Sequence, residues 1–201
     1  MIVITIPILS DNYSYLIIDK DSKNCSAVDP ASPKEIIPFL EKEELNLKNI
    51  LNTHYHNDHT EGNLELKEKY KCKIYGPEKE KNQIPGIDVS LKDNDTIKLN
   101  NYDAKIFETP GHTAGHIIYW FEEEKILFTG DTLFVLGCGK LFEGTPQIMW
   151  NSLLKIRNLP KETEIYCGHE YSKSNADFAL SIEKNNNKLM KRSDEINKLI
   201  N

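Results

Sequence analysis

The chain has only four cysteines in 201 residues, Cys25, Cys72, Cys138 and Cys167, scattered and with no C-x-x-C pair. That spacing excludes a zinc ribbon and a secreted disulfide framework, and it points to a reducing, cytoplasmic location. Positive charge is in short supply: 25 Lys and Arg against 31 Asp and Glu give a formal net charge of -6. Nothing in that balance draws the chain to nucleic acid or to an anionic membrane surface. No apolar run is long enough for a membrane span. The stretch from Met1 to Leu9 is short, is interrupted by Pro7, and lacks a basic start and a small-residue cleavage site. It reads as a strand rather than as a leader. Internal repeats and low-complexity linkers are missing too. What remains, 39% apolar and 28% charged residues, is the composition of a globular domain with a real core. The length suits one domain with a small appendage.

Runs rich in β-branched and aromatic residues mark strands at Ile2 to Ile6, Tyr13 to Asp19 and Cys25 to Val28. Ser32-Pro33-Lys34-Glu35 carries a capping box with proline at the first helical position, which predicts a helix to about Leu45. Ile50 to Thr53 is a short buried strand, followed by the polar segment His54 to Gly62 and a helix near Asn63 to Tyr70. Lys73 to Tyr75, Thr96 to Leu99, Ala104 to Thr109, Ile117 to Phe121 and Ile126 to Thr129 are expected to form a second sheet. Thr145-Pro146 opens another helix, Glu164 to Cys167 returns to a strand, and the chain is helical from Ser172, with Asn185 to Asn201 as a short terminal helix. Strands alternating with helices in two groups point to an α/β sandwich.

The chemistry is concentrated in His54-Tyr55-His56-Asn57-Asp58-His59, three imidazoles and a carboxylate directly after a strand. Imidazole and carboxylate suit Zn, Fe or Mn, and side chains two apart at a strand end point the same way. His54 and His56 are therefore assigned to one divalent ion, Asp58 and His59 to a second. Gly111-His112, Gly130-Asp131 and Gly168-His169 each place a ligand type at the end of an apolar run, where glycine permits a sharp turn. His112 completes the first set and His169 the second. An ionised Asp131 can offer an oxygen to each of two ions about 3.5–4 Å apart. Asp58 and Asp131 are the expected catalytic carboxylates. Of six histidines only His116 is left over; it is expected to hydrogen-bond behind the ligands. Asp11, Asn12 and Tyr13 read as ordinary turn formers. Cys138 and Cys167 read as small buried packing residues.

These motifs in this order resemble the binuclear signature of the metallo-β-lactamase superfamily over residues 53 to 169. Thr109-Pro-Gly-His-Thr-Ala-Gly-His116, Gly130-Asp-Thr-Leu-Phe134, Gly137-Cys-Gly-Lys-Leu-Phe-Glu-Gly144 and Cys167-Gly-His-Glu-Tyr171 are similar, within it, to the glyoxalase II family of hydroxyacylglutathione hydrolases. The resemblance implies a four-layer αββα sandwich over residues 1–170 with a short C-terminal helical region, 171–201, truncated relative to a typical glyoxalase II. It implies hydrolysis of S-D-lactoylglutathione to D-lactate and glutathione in methylglyoxal detoxification, with two divalent ions, zinc foremost and Fe or Mn as options. It also implies substrate contacts from Lys140, from Tyr171 and at Phe142, where the family has tyrosine. A small-molecule thioester, with no nucleic acid or membrane partner, is the expected ligand of a monomer. The rival readings are a persulfide dioxygenase, which would use a single iron on His54, His56 or its neighbours, His112 and Asp131, and a thioesterase for a different thiol carrier. A metal-binding module without turnover is a third class, separable by assay.

Overall fold

In a computed structural model, residues 1–200 are described. The first sheet runs in spatial order β1 (Ile2–Ile8), β2 (Asn12–Ile18), β3 (Asn24–Val28), β4 (Asn46–Leu51), β5 (Lys73–Pro77) and β6 (Val89–Leu91). Between its strands come α1 (Pro33–Lys42), the single-turn α2 (Asn57–Thr60) and α3 (Asn63–Tyr70). The second sheet collects β7 (Thr96–Leu99), β8 (Tyr102–Glu108), β9 (Ile117–Phe121), β10 (Ile126–Gly130) and β13 (Glu164–Cys167), in the order β13-β10-β9-β8-β7. A small hairpin, β11 (Leu133–Phe134) with β12 (Gly137–Cys138), precedes α4 (Pro146–Arg157), and α5 (Ser172–Ile182) and α6 (Asn187–Ile200) end the chain.

Strand alternation explains the layers. On β9, Ile117, Tyr119 and Phe121 face the first sheet and join Tyr15, Ile17, Val28, Leu51 and Phe128 in the core between the sheets. Their neighbours Ile118 and Trp120 point outward with Leu127 against Ile156 of α4. Strands β9 and β10 are buried on both faces, and β9 and the first three residues of β10 are accordingly continuous apolar runs. On the far side of the first sheet, Leu16, Ala27, Ile50 and Ile74 pack against Ile36 and Leu40 of α1 and Leu66 of α3. The result is helix, sheet, sheet, helix.

Three expectations need correction. Lys73 to Tyr75 belongs to the first sheet, because the α2–α3 crossover returns β5 parallel to β4. The first helix stops at Lys42, three residues before Leu45, because Glu44 turns left-handed (φ 55°) and Leu45 N–H closes onto Leu40 O at 2.8 Å. Ser32 occupies the cap position without a side-chain hydrogen bond, and Glu35 Oε2 is buried with no partner among the described residues, so the capping box does not close. Thr145 does cap α4, its hydroxyl accepting from Ile148 N at 3.3 Å. The terminal helix forms with Ile196 buried, while Asn201 lies outside the described residues. No helix among the described residues is long and apolar enough to cross a membrane.

Candidate metal centre

The predicted ligands converge at one edge of the sandwich, where strands of both sheets end. β4 leads into Thr53 and the His54–His59 loop; the β8–β9 connection carries His112; Asp131 follows β10 and His169 follows β13. Gly130 has φ 46°, and a Cβ there would run into the Thr53 side chain and His116 Nε2. At Gly168 a Cβ would overlap the Asp131 carboxylate and the His59 ring. Glycine at these two places lets the strand ends close around the cluster.

All seven predicted side chains meet. His54 Nε2 and His112 Nε2 each lie 3.0 Å from His56 Nδ1. His59 Nε2 and His169 Nε2 are 3.3 Å apart, with Asp58 Oδ2 at 3.6 and 3.4 Å from them. Asp131 links the two sets: Oδ2 is 3.4 Å from His112 Nε2 and 3.3 Å from His169 Nε2, and Oδ1 is 3.5 Å from His59 Nε2. Ligand atoms within each of the sets His54-His56-His112, His54-His59-Asp131 and Asp58-His59-His169 lie within 4.8 Å of one another.

The outward ring nitrogens decide what these inward ones can do. His112 Nδ1 donates to Lys140 O at 2.8 Å, His59 Nδ1 to Asp29 Oδ2 at 3.1 Å and His169 Nδ1 to Asp11 Oδ1 at 2.9 Å. His54 Nδ1 donates to Thr53 Oγ1 at 3.0 Å, whose own proton goes to Asp29 Oδ2 at 2.6 Å. Each of these four rings therefore has Nδ1 committed, which leaves Nε2 as the group presented to the cluster. His116 is different. Its Nε2 accepts from Asp131 N at 3.1 Å and its Nδ1 lies 3.1 Å from both Thr109 Oγ1 and Thr132 Oγ1, so it supports the Asp131 backbone and has no free lone pair for an ion.

The electrostatics fit cations. Burial alone would raise the Asp131 carboxyl, but His59, His169 and His112 hold it at about 2. Burial opposes charge on His59 and His169, yet Asp131, Asp29 and Asp58 lift the former to about 9, and Asp131, Asp58 and Asp11 the latter to about 10. His54, buried among other imidazoles, is pushed well down, and burial drives His116 to about 3. Asp131 is 5% exposed, and its Oδ1 is buried without a hydrogen-bond partner among the described residues. A buried orphan carboxylate oxygen facing inward imidazole nitrogens fits a divalent ion on each side.

Above the cluster lies a half-open cavity of about 450 Å³, lined by His56, Asn57, Asp58, His112, Asp131, Phe134, Gly139, Lys140, Phe142, His169 and Tyr171. Lys140, Phe142 and Tyr171, the expected substrate contacts, are among its lining residues. The Tyr171 ring stacks on His169 at 4.7 Å. Phe142, 58% exposed, sets its edge against His56 and His112.

The chain matches the model of the metallo-beta-lactamase superfamily over residues 10–169. A hydroxyacylglutathione hydrolase of Pelagibacter ubique is 51% identical over 181 residues, 90% of this chain and 76% of the relative. The chain belongs to the hydroxyacylglutathione hydrolase family of that superfamily. A second relative, the hydroxyacylglutathione hydrolase of Methylococcus capsulatus, is 45% identical over 197 residues, 98% of this chain and 77% of the relative. The B3 metallo-beta-lactamase BLEG-1 superposes with a TM-score of 0.77 at 25% identity, covering 84% of this chain and 92% of the other. The αββα architecture expected of the family is the one present, and its His and Asp clusters suit a dinuclear metal site.

Sequence reasoning passed over part of the centre. Asn12 Nδ2 donates to Asp58 Oδ2 at 3.0 Å and to Asp58 O at 3.1 Å, and Asp11 holds His169, so the pair taken for turn formers braces the second set. Asp29 received no role, yet it is buried and accepts from Thr53 N at 2.8 Å as well as from Thr53 Oγ1 and His59. Its signal was an acidic residue at the end of a buried strand. Cys138, expected buried, is exposed because it sits on the small hairpin, and Cys167 is partly buried; neither lines the cavity.

Proposed function

We propose that this chain hydrolyses S-acylated thiols, with S-D-lactoylglutathione as its substrate and D-lactate and glutathione as products. The observation that carries the reading is the seven-residue cluster, inward nitrogens bared and Asp131 shared, directly beneath a cavity walled by Lys140, Phe142 and Tyr171. His54, His56 and His112 would hold one ion and Asp58, His59 and His169 the other, with Asp131 common to both. Nitrogen and oxygen donors of this kind suit zinc, and they also accept iron or manganese. When bound, such a pair polarises the thioester carbonyl and makes water acidic enough to attack it near neutral pH.

The chain's own residues supply position and charge. Burial would raise the Asp58 carboxyl, but hydrogen bonds to His169 and Asn12 and the nearby His59 hold it well below the ordinary range, so it stays ionised at the cavity floor. Lys140 offers a cation for a carboxylate of the thiol carrier, and Tyr171 a hydroxyl for its peptide. The departing thiolate, with an ordinary thiol pKa near 8.5, needs no strong general acid. Four cysteines, all free, support a reducing, cytoplasmic setting.

The test is metal content and steady-state loss of the thioester on the same preparation. Two ions per chain with efficient turnover are expected. A fully loaded protein that leaves S-D-lactoylglutathione intact overturns the reading. Phe142 favours one second reading, a different thiol carrier, since an apolar edge stands where the family has a hydroxyl; turnover of lactoyl esters of other thiols separates the two.

A further inference from the structure

The segment 139–144 forms one wall of the cavity and lies directly on the ligand loops. A Cβ on Gly139 would strike Asp131 O, and one on Gly144 would come within 2.6 Å of Gly111 Cα, so backbone meets backbone at both ends. Between these glycines the wall is stitched to His112 itself. Lys140 O accepts from His112 Nδ1 at 2.8 Å, and Phe142 N donates to His112 O at 3.3 Å.

Among the described residues, the side-chain hydrogen bonds of this segment all run through Glu143. Its Oε1 accepts from the Tyr55 hydroxyl at 2.6 Å and its Oε2 from Ala114 N at 2.8 Å. Tyr55 stands between His54 and His56 in sequence, and its ring packs against that of His56 with centroids 4.8 Å apart. Ala114 follows His112 by two residues. One carboxylate therefore joins the wall to both loops that carry the first ligand set. The 109–116 loop is already held elsewhere: Ser152 of α4 donates to Pro110 O at 2.7 Å, and buried Glu80 accepts from Gly115 N at 2.8 Å. The His54–His56 loop is held by Thr53 on Asp29. Both loops are thus anchored independently of Glu143, whereas the outer face of the wall is not.

We propose that Glu143 is a positioning residue that clasps the cavity wall to the two ligand loops and so fixes where Lys140 and Phe142 stand over the cluster. Glu143 touches no reacting atom; it acts through the wall. The catalytic consequence rests on the thioesterase reading above; the clasp itself does not.

The experiment compares Glu143→Ala, Glu143→Gln, Tyr55→Phe and the double variant Glu143→Ala/Tyr55→Phe as metal-loaded full-length protein. It reads metal content, KM and kcat for S-D-lactoylglutathione, and amide hydrogen exchange at Ala114. Glu143→Ala is expected to keep both ions, to raise KM roughly tenfold with a smaller change in kcat, and to speed exchange at Ala114. The double variant is expected to be no worse than Glu143→Ala, because both substitutions open one clasp. Glu143→Gln is expected to regain most of the loss, since its amide can accept from Ala114 and donate to the Tyr55 oxygen. Wild-type KM in Glu143→Ala, losses that add in the double variant, or a fall in kcat that tracks lost metal would each overturn the proposal. The two readings fail separately. A wild-type protein that cleaves no thioester while Glu143→Ala still exposes Ala114 sinks the substrate and leaves the clasp; turnover with Ala114 protection unchanged in Glu143→Ala does the opposite.

Discussion

On the floor of the cavity four of the five clustered histidines have their outward nitrogen engaged, by Thr53, Asp29, Lys140 O and Asp11, and the shared Asp131 is almost fully buried. On the wall, Phe142 is exposed, and the Lys140 amine lies 4.9 Å from the Phe142 ring and meets no carboxylate among the described residues. The floor is a finished electrostatic object, its donor atoms already aimed at cations. The wall has unspent capacity, a positive charge and an apolar edge waiting for something the substrate brings. On the function proposed above, chemistry is fixed by the fold, while recognition is delegated to a few exposed side chains that can change without disturbing it.

That contrast can be broken most forcefully at the floor. Asp131→Asn removes the charge common to both ligand sets, and activity is expected to fall by roughly a thousandfold or more with metal content reduced. Near-normal turnover with two ions bound would sink the bridging role. One step further out, Asp29→Asn weakens three hydrogen bonds behind Thr53 and His59. Metal affinity, measured by competition with a chelator, is expected to drop about 10–100-fold while the secondary structure persists. An unchanged affinity would make Asp29 a packing residue.

The wall should respond differently. Lys140→Ala is expected to raise KM by about tenfold and to leave kcat within about twofold, the pattern of lost uniform binding. A fall in kcat at constant KM would move the lysine into the chemistry and erase the contrast. The smallest effect concerns protons. His59 and His169 in the metal-free protein are lifted from the ordinary 6.5 to about 9 and about 10, so both are charged at neutral pH. Their interactions stabilise the metal-free fold fully below pH 6.5, and that stabilisation is lost as pH rises through 9 and 10. Loading with zinc at pH 7.5 is therefore expected to release about two protons per chain from these imidazoles, besides one from an acidified bound water, and the imidazole share declines toward none above pH 10, as read by calorimetry in buffers of different ionisation enthalpy.

Much of the fold was legible because apolar runs and turn residues alternate cleanly; Asn63 to Tyr70 and Glu164 to Cys167 coincide with their elements. The seven clustered residues were legible because three imidazoles crowded into six positions suit an ion far better than they suit a solvated loop. What stayed hidden depends on partners distant in sequence. Nothing within Lys73 to Tyr75 says which sheet it joins; that follows from the α2–α3 crossover. The end of α1 was missed because Glu44, not glycine, takes the left-handed turn. Asp11, Asn12 and Asp29 gain meaning only when the fold carries them to His169, Asp58 and His59, across up to 158 positions of sequence. The hairpin β11–β12 is two residues per strand, too short for periodicity to register.

The ligands arrive on strands of both sheets, and this makes the core between the sheets a gauge for the metal pair. His54 to His59 ride on the first sheet, His112, Asp131 and His169 on the second, so each ligand set draws donors from both sheets, and its width depends on how far apart the sheets are spaced by Tyr119, Phe121 and Phe128. A thinner filling at Phe128 would let the two sheets settle together. Side chains in the depth of the sandwich thus share in tuning a reaction that none of them can touch.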